Sequence, residues 1–194
     1  MKKILLALIL CFSLFCNTGC AFIIISSLLN RDVSESVTDP GEYGNFHDDV
    51  ELPSYYPTNL SGYTVNDYCY VMEKNSTLSY EIYLDVTVPQ DAFASILGTV
   101  NADSRQKTVK SAYHSTSYTD VIFSDEIDLT LNGYVDNINE ANVEKVIYNE
   151  SESRIIFVLL YIEENSYYNT DNIQYFKKLN IDPEKYLSQK NNEF

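Results

Sequence analysis

Two histidines and 28 acidic residues hold most of the chemistry this chain could perform. His114 stands beside Ser115, Thr116 and Ser117, and an imidazole next to hydroxyls is the raw material of nucleophilic catalysis. Such a nucleophile also needs a turn that presents it. No Gly-x-Ser-x-Gly elbow surrounds these residues, so the stretch reads as a polar surface segment. His47 lies in an acidic stretch rich in turn residues, a poor setting for a positioned base. Asp120, Asp125, Glu126 and Asp128 cluster, and on a strand Glu126 and Asp128 share a face. Carboxylates so placed could hold Ca²⁺ or work as an acid/base pair. Neither this cluster nor Asp136–Glu140 has the spacing of a Ca²⁺ loop, and so acidic a chain forms such clusters by chance. There is no Gly-rich phosphate loop, dinucleotide fingerprint or His-Glu-x-x-His. The sequence therefore assigns no catalytic residue, no metal ligand and no cofactor, and the expectation is a protein that is not an enzyme.

The four cysteines suggest two disulfides until they are placed. Cys11, Cys16 and Cys20 fall in or at the end of an apolar leader, which leaves Cys69 without an intramolecular partner. Between Tyr68 and Tyr70, in a strand-like run, Cys69 reads as a small buried apolar residue rather than a reactive thiol. No Cys/His spacing suggests zinc.

The leader decides where the rest goes. Lys2 and Lys3 precede an uncharged apolar run, Ile4–Phe15, which Asn17-Thr18-Gly19-Cys20 then breaks. This is a charged n-region followed by an h-region, the layout of a secretory signal. Gly19-Cys20 after the apolar run resembles the lipobox of bacterial lipoproteins. The resemblance implies cleavage after Gly19 and a lipid on Cys20. Thr18 fits the pattern, and Asn17 departs from the leucine the family usually has. The likeness covers the leader alone. A rival reading is open, because apolar character resumes at Phe22–Ile25 and Leu28-Leu29. An uncleaved helix over Ile4–Leu29 would be about 39 Å long, enough for a hydrocarbon core of ~30 Å. Plain secretion is a third. The first two readings keep Lys2 and Lys3 inside and put everything after Arg31 outside, on the outer side of the cell membrane.

The formal net charge is −15, and removing the two leader lysines makes the remainder −17. Such a surface repels nucleic-acid phosphate, so no nucleic-acid partner is expected. It favours cationic partners, or keeps the domain soluble. The 17 tyrosines could recognise sugars or proteins, although biased codon usage explains them more simply.

Three segments follow: a signal peptide over 1–19, a flexible acidic tether over 20–60, and one extracytoplasmic domain over 61–194. Asp39-Pro40-Gly41, Pro53 and Pro57 mark the tether. In the domain, Tyr68–Glu73 and Leu78–Val88 read as strands around a turn. Leu78, Tyr80, Ile82, Leu84, Val86 and Val88 alternate with polar residues, which predicts one face on a core and one in water. Asp91 is placed to cap a short helix that Gly98 ends, and Asn101–Lys110 reads as a loop. Ala112–Phe123 reads as one or two strands, and Asn132-Gly133 as a turn. Val143–Glu163 predicts a hairpin whose second strand, Arg154–Ile162, is apolar on both faces and hence central. A helix over 140–147 is the alternative to its first strand. A C-terminal helix, Asp171–Leu179, is expected to start at Thr170 and to bury Ile173 and Phe176. Asp182-Pro183 could open a further short turn. The fold class is α+β: an antiparallel β-sheet with a short helix and the C-terminal helix packed on it. The function expected is a non-catalytic binding or interaction module of the cell envelope that meets an envelope or secreted protein. The alternative is capture of a small cationic or sugar ligand.

Overall fold

The apolar run Arg154–Ile162 does become the middle of the molecule. In a computed structural model it is strand β7 of one large sheet, and all but two of its nine residues are buried. The structure describes residues 33–45, 50–74, 78–110, 117–131, 136–163, 168–169 and 173–182. The leader, Gly19 and Cys20 included, lies outside these residues, as do His47, His114 and the expected turn at Asn132-Gly133.

The strands are β1 (Val33–Val37), β2 (Thr64–Lys74), β3 (Leu78–Thr87), β4 (Lys107–Lys110), β5 (Thr119–Leu131), β6 (Asp136–Asn149), β7 and β8 (Tyr168–Asn169). Their order across the sheet is β1-β2-β3-β7-β6-β5-β4, with β8 on β6. The pairings from β2 through β8 are antiparallel. Strands β4 to β7 form a meander, and β3 joins its open side. The chain leaving β3 must therefore cross from mid-sheet to the far edge. Helix α1 (Gln90–Ala102) spans that gap and buries Phe93, Ile96 and Val100, one stripe at helical spacing.

Both faces of the sheet are covered, which is why β7 is apolar on both. On one face Leu84, Val86, Phe157 and Val146 pack with α1 and with Tyr43, Val50, Tyr55 and Tyr56. On the other, Tyr83, Ile156, Val158 and Val143 pack with Ile173, Phe176, Leu179 and Ile181. The molecule is mostly antiparallel sheet.

Several expectations are corrected by this packing. Of the segment expected as a flexible tether over 20–60, residues 34–45 and 50–60 belong to the folded body. Tyr43, Val50, Tyr55 and Tyr56 are each at most 6% exposed, because widely spaced apolar side chains pin this strap down. The Tyr43 hydroxyl donates to the Pro57 carbonyl at 2.7 Å and closes the strap on itself. The polar face of β3 does not meet water: Ser79, Glu81 and Asp85 are buried. Helix α1 starts after Pro89 without a side-chain cap, leaving Asp91 in its first turn. It also runs past Gly98, which is exposed with open space around it, so that Val100 can complete the buried stripe. Part of the expected loop at 101–110 is strand β4. Residues 140–147 are strand as the hairpin reading expects, held between β5 and β7, and the alternative helix does not form. The C-terminal helix shrinks to one short turn, α2 (Gln174–Lys178), although Ile173, Phe176 and Leu179 are buried. Its expected start, 170–172, lies outside the described residues. Among the described residues no helix is long and apolar enough to cross a membrane.

The β6–β7 hairpin does form where the sequence predicts it. Asn149 accepts from Ser151 N at 3.0 Å, and Ser153 takes the left-handed conformation with φ 48°. Asn149 itself is 2% exposed.

Candidate functional site

A carboxylate buried in the sheet must find partners, because an isolated buried charge is costly. Strand β6 carries Glu144 between Val143 and the Lys145-Val146 pair, and alternation points Glu144 to the face under the strap. Three donors meet it there. The Tyr55 hydroxyl donates to Oε1. The Arg105 guanidinium, arriving from the α1–β4 connection, donates to Oε2 at 3.0 Å and to Oε1 at 3.1 Å. Arg105 is in turn fixed by Asp103 at 2.6 Å and lies 5.4 Å from the centre of the Phe123 ring. The Tyr55 ring stacks on Phe123 at 4.9 Å. Burial, then Tyr56, then the hydrogen bond to Glu144 push the Tyr55 phenol far above its usual range. The Asp103 and Glu144 hydrogen bonds hold Arg105 firmly protonated, and Arg105 holds the Asp103 carboxyl below its usual range.

The opposite face repeats the device. Asp85, 4% exposed at its side chain, receives Arg154 Nε at 2.8 Å and a second bond from the same guanidinium. Asn66 adds a third donor at 3.0 Å. Tyr83 lies nearby, and burial followed by the charges of Asp85 and Asp67 pushes its phenol up. Glu81 accepts from the backbone N–H of Gln174 at 2.7 Å, which fastens the start of α2 to β3. Lys178 closes the same layer on Asp67 at 2.7 Å.

The acids singled out in the sequence have different settings. Asp120 is buried, Asp125 pairs with buried Lys145 at 3.0 Å, and Glu126 is exposed. Asp128 is on β5, opposite Glu140. No three or more His, Cys, Asp or Glu are arranged to hold a metal ion among the described residues. Cys69 is buried in the cluster that Val71, Tyr83 and Phe176 form on one face of the sheet, as its setting predicts. Tyr55, Arg105, Glu144, Asp85 and Arg154 escaped the sequence reading. The available signal was weak: an acid beside apolar residues, Asp85 between Leu84 and Val86 and Glu144 after Val143.

Both clusters act as struts. Each buried carboxylate is neutralised by a guanidinium from a distant segment, and both oxygens of Glu144 are occupied. In comparisons with protein-family models, with curated proteins and with solved structures, nothing matches this chain.

Proposed function

We propose that this chain is a membrane-anchored extracytoplasmic lipoprotein whose folded body is a non-catalytic binding or interaction module of the cell envelope. The leader supports the location, with its lysine pair, apolar run and Gly19-Cys20. One observation carries the non-catalytic reading. The best-built polar cluster, Tyr55–Glu144–Arg105, is saturated by its own members, so its carboxylate is held as a strut rather than as a base. The acidic surface supplies the recognition chemistry.

The test is a crosslinking pull-down from intact cells, comparing the native protein with a Cys20→Ser copy. Deleting the strap is not a usable control, because Tyr43, Tyr55 and Tyr56 are core residues. A specific envelope or secreted protein captured by the native chain and lost with Cys20→Ser supports the module. Absence of any captured protein overturns it.

A further inference from the structure

Helix α1 covers one end of its sheet face, where Phe93 packs against Tyr148. The other end of that face is built differently. Tyr80 pairs with Tyr161, Tyr161 with Asn142, and Asn142 with Glu126, a single row across four strands. Alternation puts this row on the same side as Leu84, Phe157 and Glu144. The two tyrosine rings stack with centroids 5.4 Å apart and are half-buried. Asn142 and Glu126 are exposed, as is Glu140 two residues before Asn142 on the same side. Unlike Glu144 and Asp85, neither Glu126 nor Glu140 has an ion-pair partner among the described residues.

An aromatic floor bordered by unneutralised carboxylates is complementary to positive charge. The ring faces attract ammonium and guanidinium groups, and the carboxylates add a direct Coulomb term. Burial, then Tyr161 and Glu144, push the Tyr80 phenol up, so its ring meets a partner in the neutral form. With strands about 4.8 Å apart, the row extends roughly 14 Å, room for two alternate side chains of an extended peptide about 7 Å apart. That favours a chain carrying several cations over a single small amine.

We propose that the row Tyr80–Tyr161–Asn142–Glu126, with Glu140 beside it, docks a basic polypeptide segment. One lysine or arginine sits over the tyrosine pair and the next between Glu126 and Glu140. This names the partner chemistry of the binding module and rests on that reading.

The test is fluorescence anisotropy of a labelled peptide of alternating lysine and serine, titrated with the full-length protein in detergent micelles. A glutamate–serine peptide is the control. The basic peptide binds and the acidic one does not. Glu126→Gln with Glu140→Gln weakens binding about tenfold, whereas Glu51→Gln with Glu150→Gln, exposed acids elsewhere, changes it less than about twofold. Tyr161→Leu weakens binding about threefold and Tyr161→Phe leaves it unchanged, because the ring face rather than the hydroxyl holds the cation. Thermal melts show that each variant is folded. Equal loss from both acid pairs, or no loss with Tyr161→Leu, overturns the site. So does loss with Tyr161→Phe accompanied by binding of a neutral oligosaccharide, which would make it a hydroxyl-reading sugar site. If no peptide binds while the cell crosslink still captures a protein, the docking site fails and the interaction module stands.

Discussion

Tyr55 donates its phenolic hydrogen to Glu144 across 89 positions of sequence. This bond fastens the strap at 50–60 to a strand near the centre of the sheet. Replacing Tyr55 with phenylalanine keeps the stack on Phe123 and removes a bond to a buried charge. The expected loss is about 2 kcal/mol of folding stability, or a melting temperature lower by about 5 °C. Chemical denaturation measures it. A loss under about 0.5 kcal/mol would mean that the strap is held by ring packing alone.

Arg154 performs the same service for Asp85 from the first residue of β7. Arg154→Leu leaves a buried carboxylate with Asn66 as its remaining described partner. It should cost about 3–4 kcal/mol, because an uncompensated buried charge is worse than none. Arg154→Leu combined with Asp85→Leu should recover a large part of that loss. Urea midpoints of the single and double variants decide it, and a double variant less stable than the single one contradicts the account.

Strands β3 and β7 were legible because their patterns are local: strict alternation in one, an unbroken apolar run in the other. The covering layers were not. Acids and prolines around Tyr43, Val50, Tyr55 and Tyr56 look like linker, and four anchors spread over so many positions make no periodic signal. Glu81 and Asp85 look like a solvent face because their partners, the Gln174 N–H and Arg154, lie 93 and 69 positions away. Helix α1 outran Gly98 because tertiary burial of Val100 outweighs the roughly 1 kcal/mol glycine penalty. The saturated clusters on both faces are likewise long-range, so the sequence shows their acids but not their neutralisation.

The Tyr56 hydroxyl is buried and finds no hydrogen-bond partner among the described residues, while its ring packs on Phe157 at 4.8 Å. Desolvating that hydroxyl without compensation is unfavourable. Tyr56→Phe should therefore stabilise the fold by about 1 kcal/mol, and thermal unfolding measures the change. A loss of stability would reveal a bond from this hydroxyl.

Mass spectrometry of the N-terminal peptide tests the anchor. The expected mature chain begins at Cys20 and carries added acyl mass, and Cys20→Ser should abolish both cleavage and acylation. An intact Met1 on the membrane-bound protein would replace the lipid anchor with an uncleaved helix.

High pH should unfold this protein through its buried phenols. Tyr43, Tyr55, Tyr56, Tyr68 and Tyr83 all have pKa values raised in the folded state, with burial the leading cause for each. A raised folded pKa means that the native state keeps a proton the unfolded chain gives up. Their contribution is therefore fully present below the unfolded phenol value of about 10. It is lost as pH rises from there toward the folded values, at about 1.4 kcal/mol per pH unit for each phenol. The urea midpoint should stay level between about pH 8 and 9 and fall steeply above about 10. Tyrosinate absorbance should then rise in two stages, exposed phenols first and the buried set together with unfolding. A midpoint that holds through pH 11 or so, with every tyrosine titrating smoothly in the folded protein, would mean that these rings are not sealed in the core.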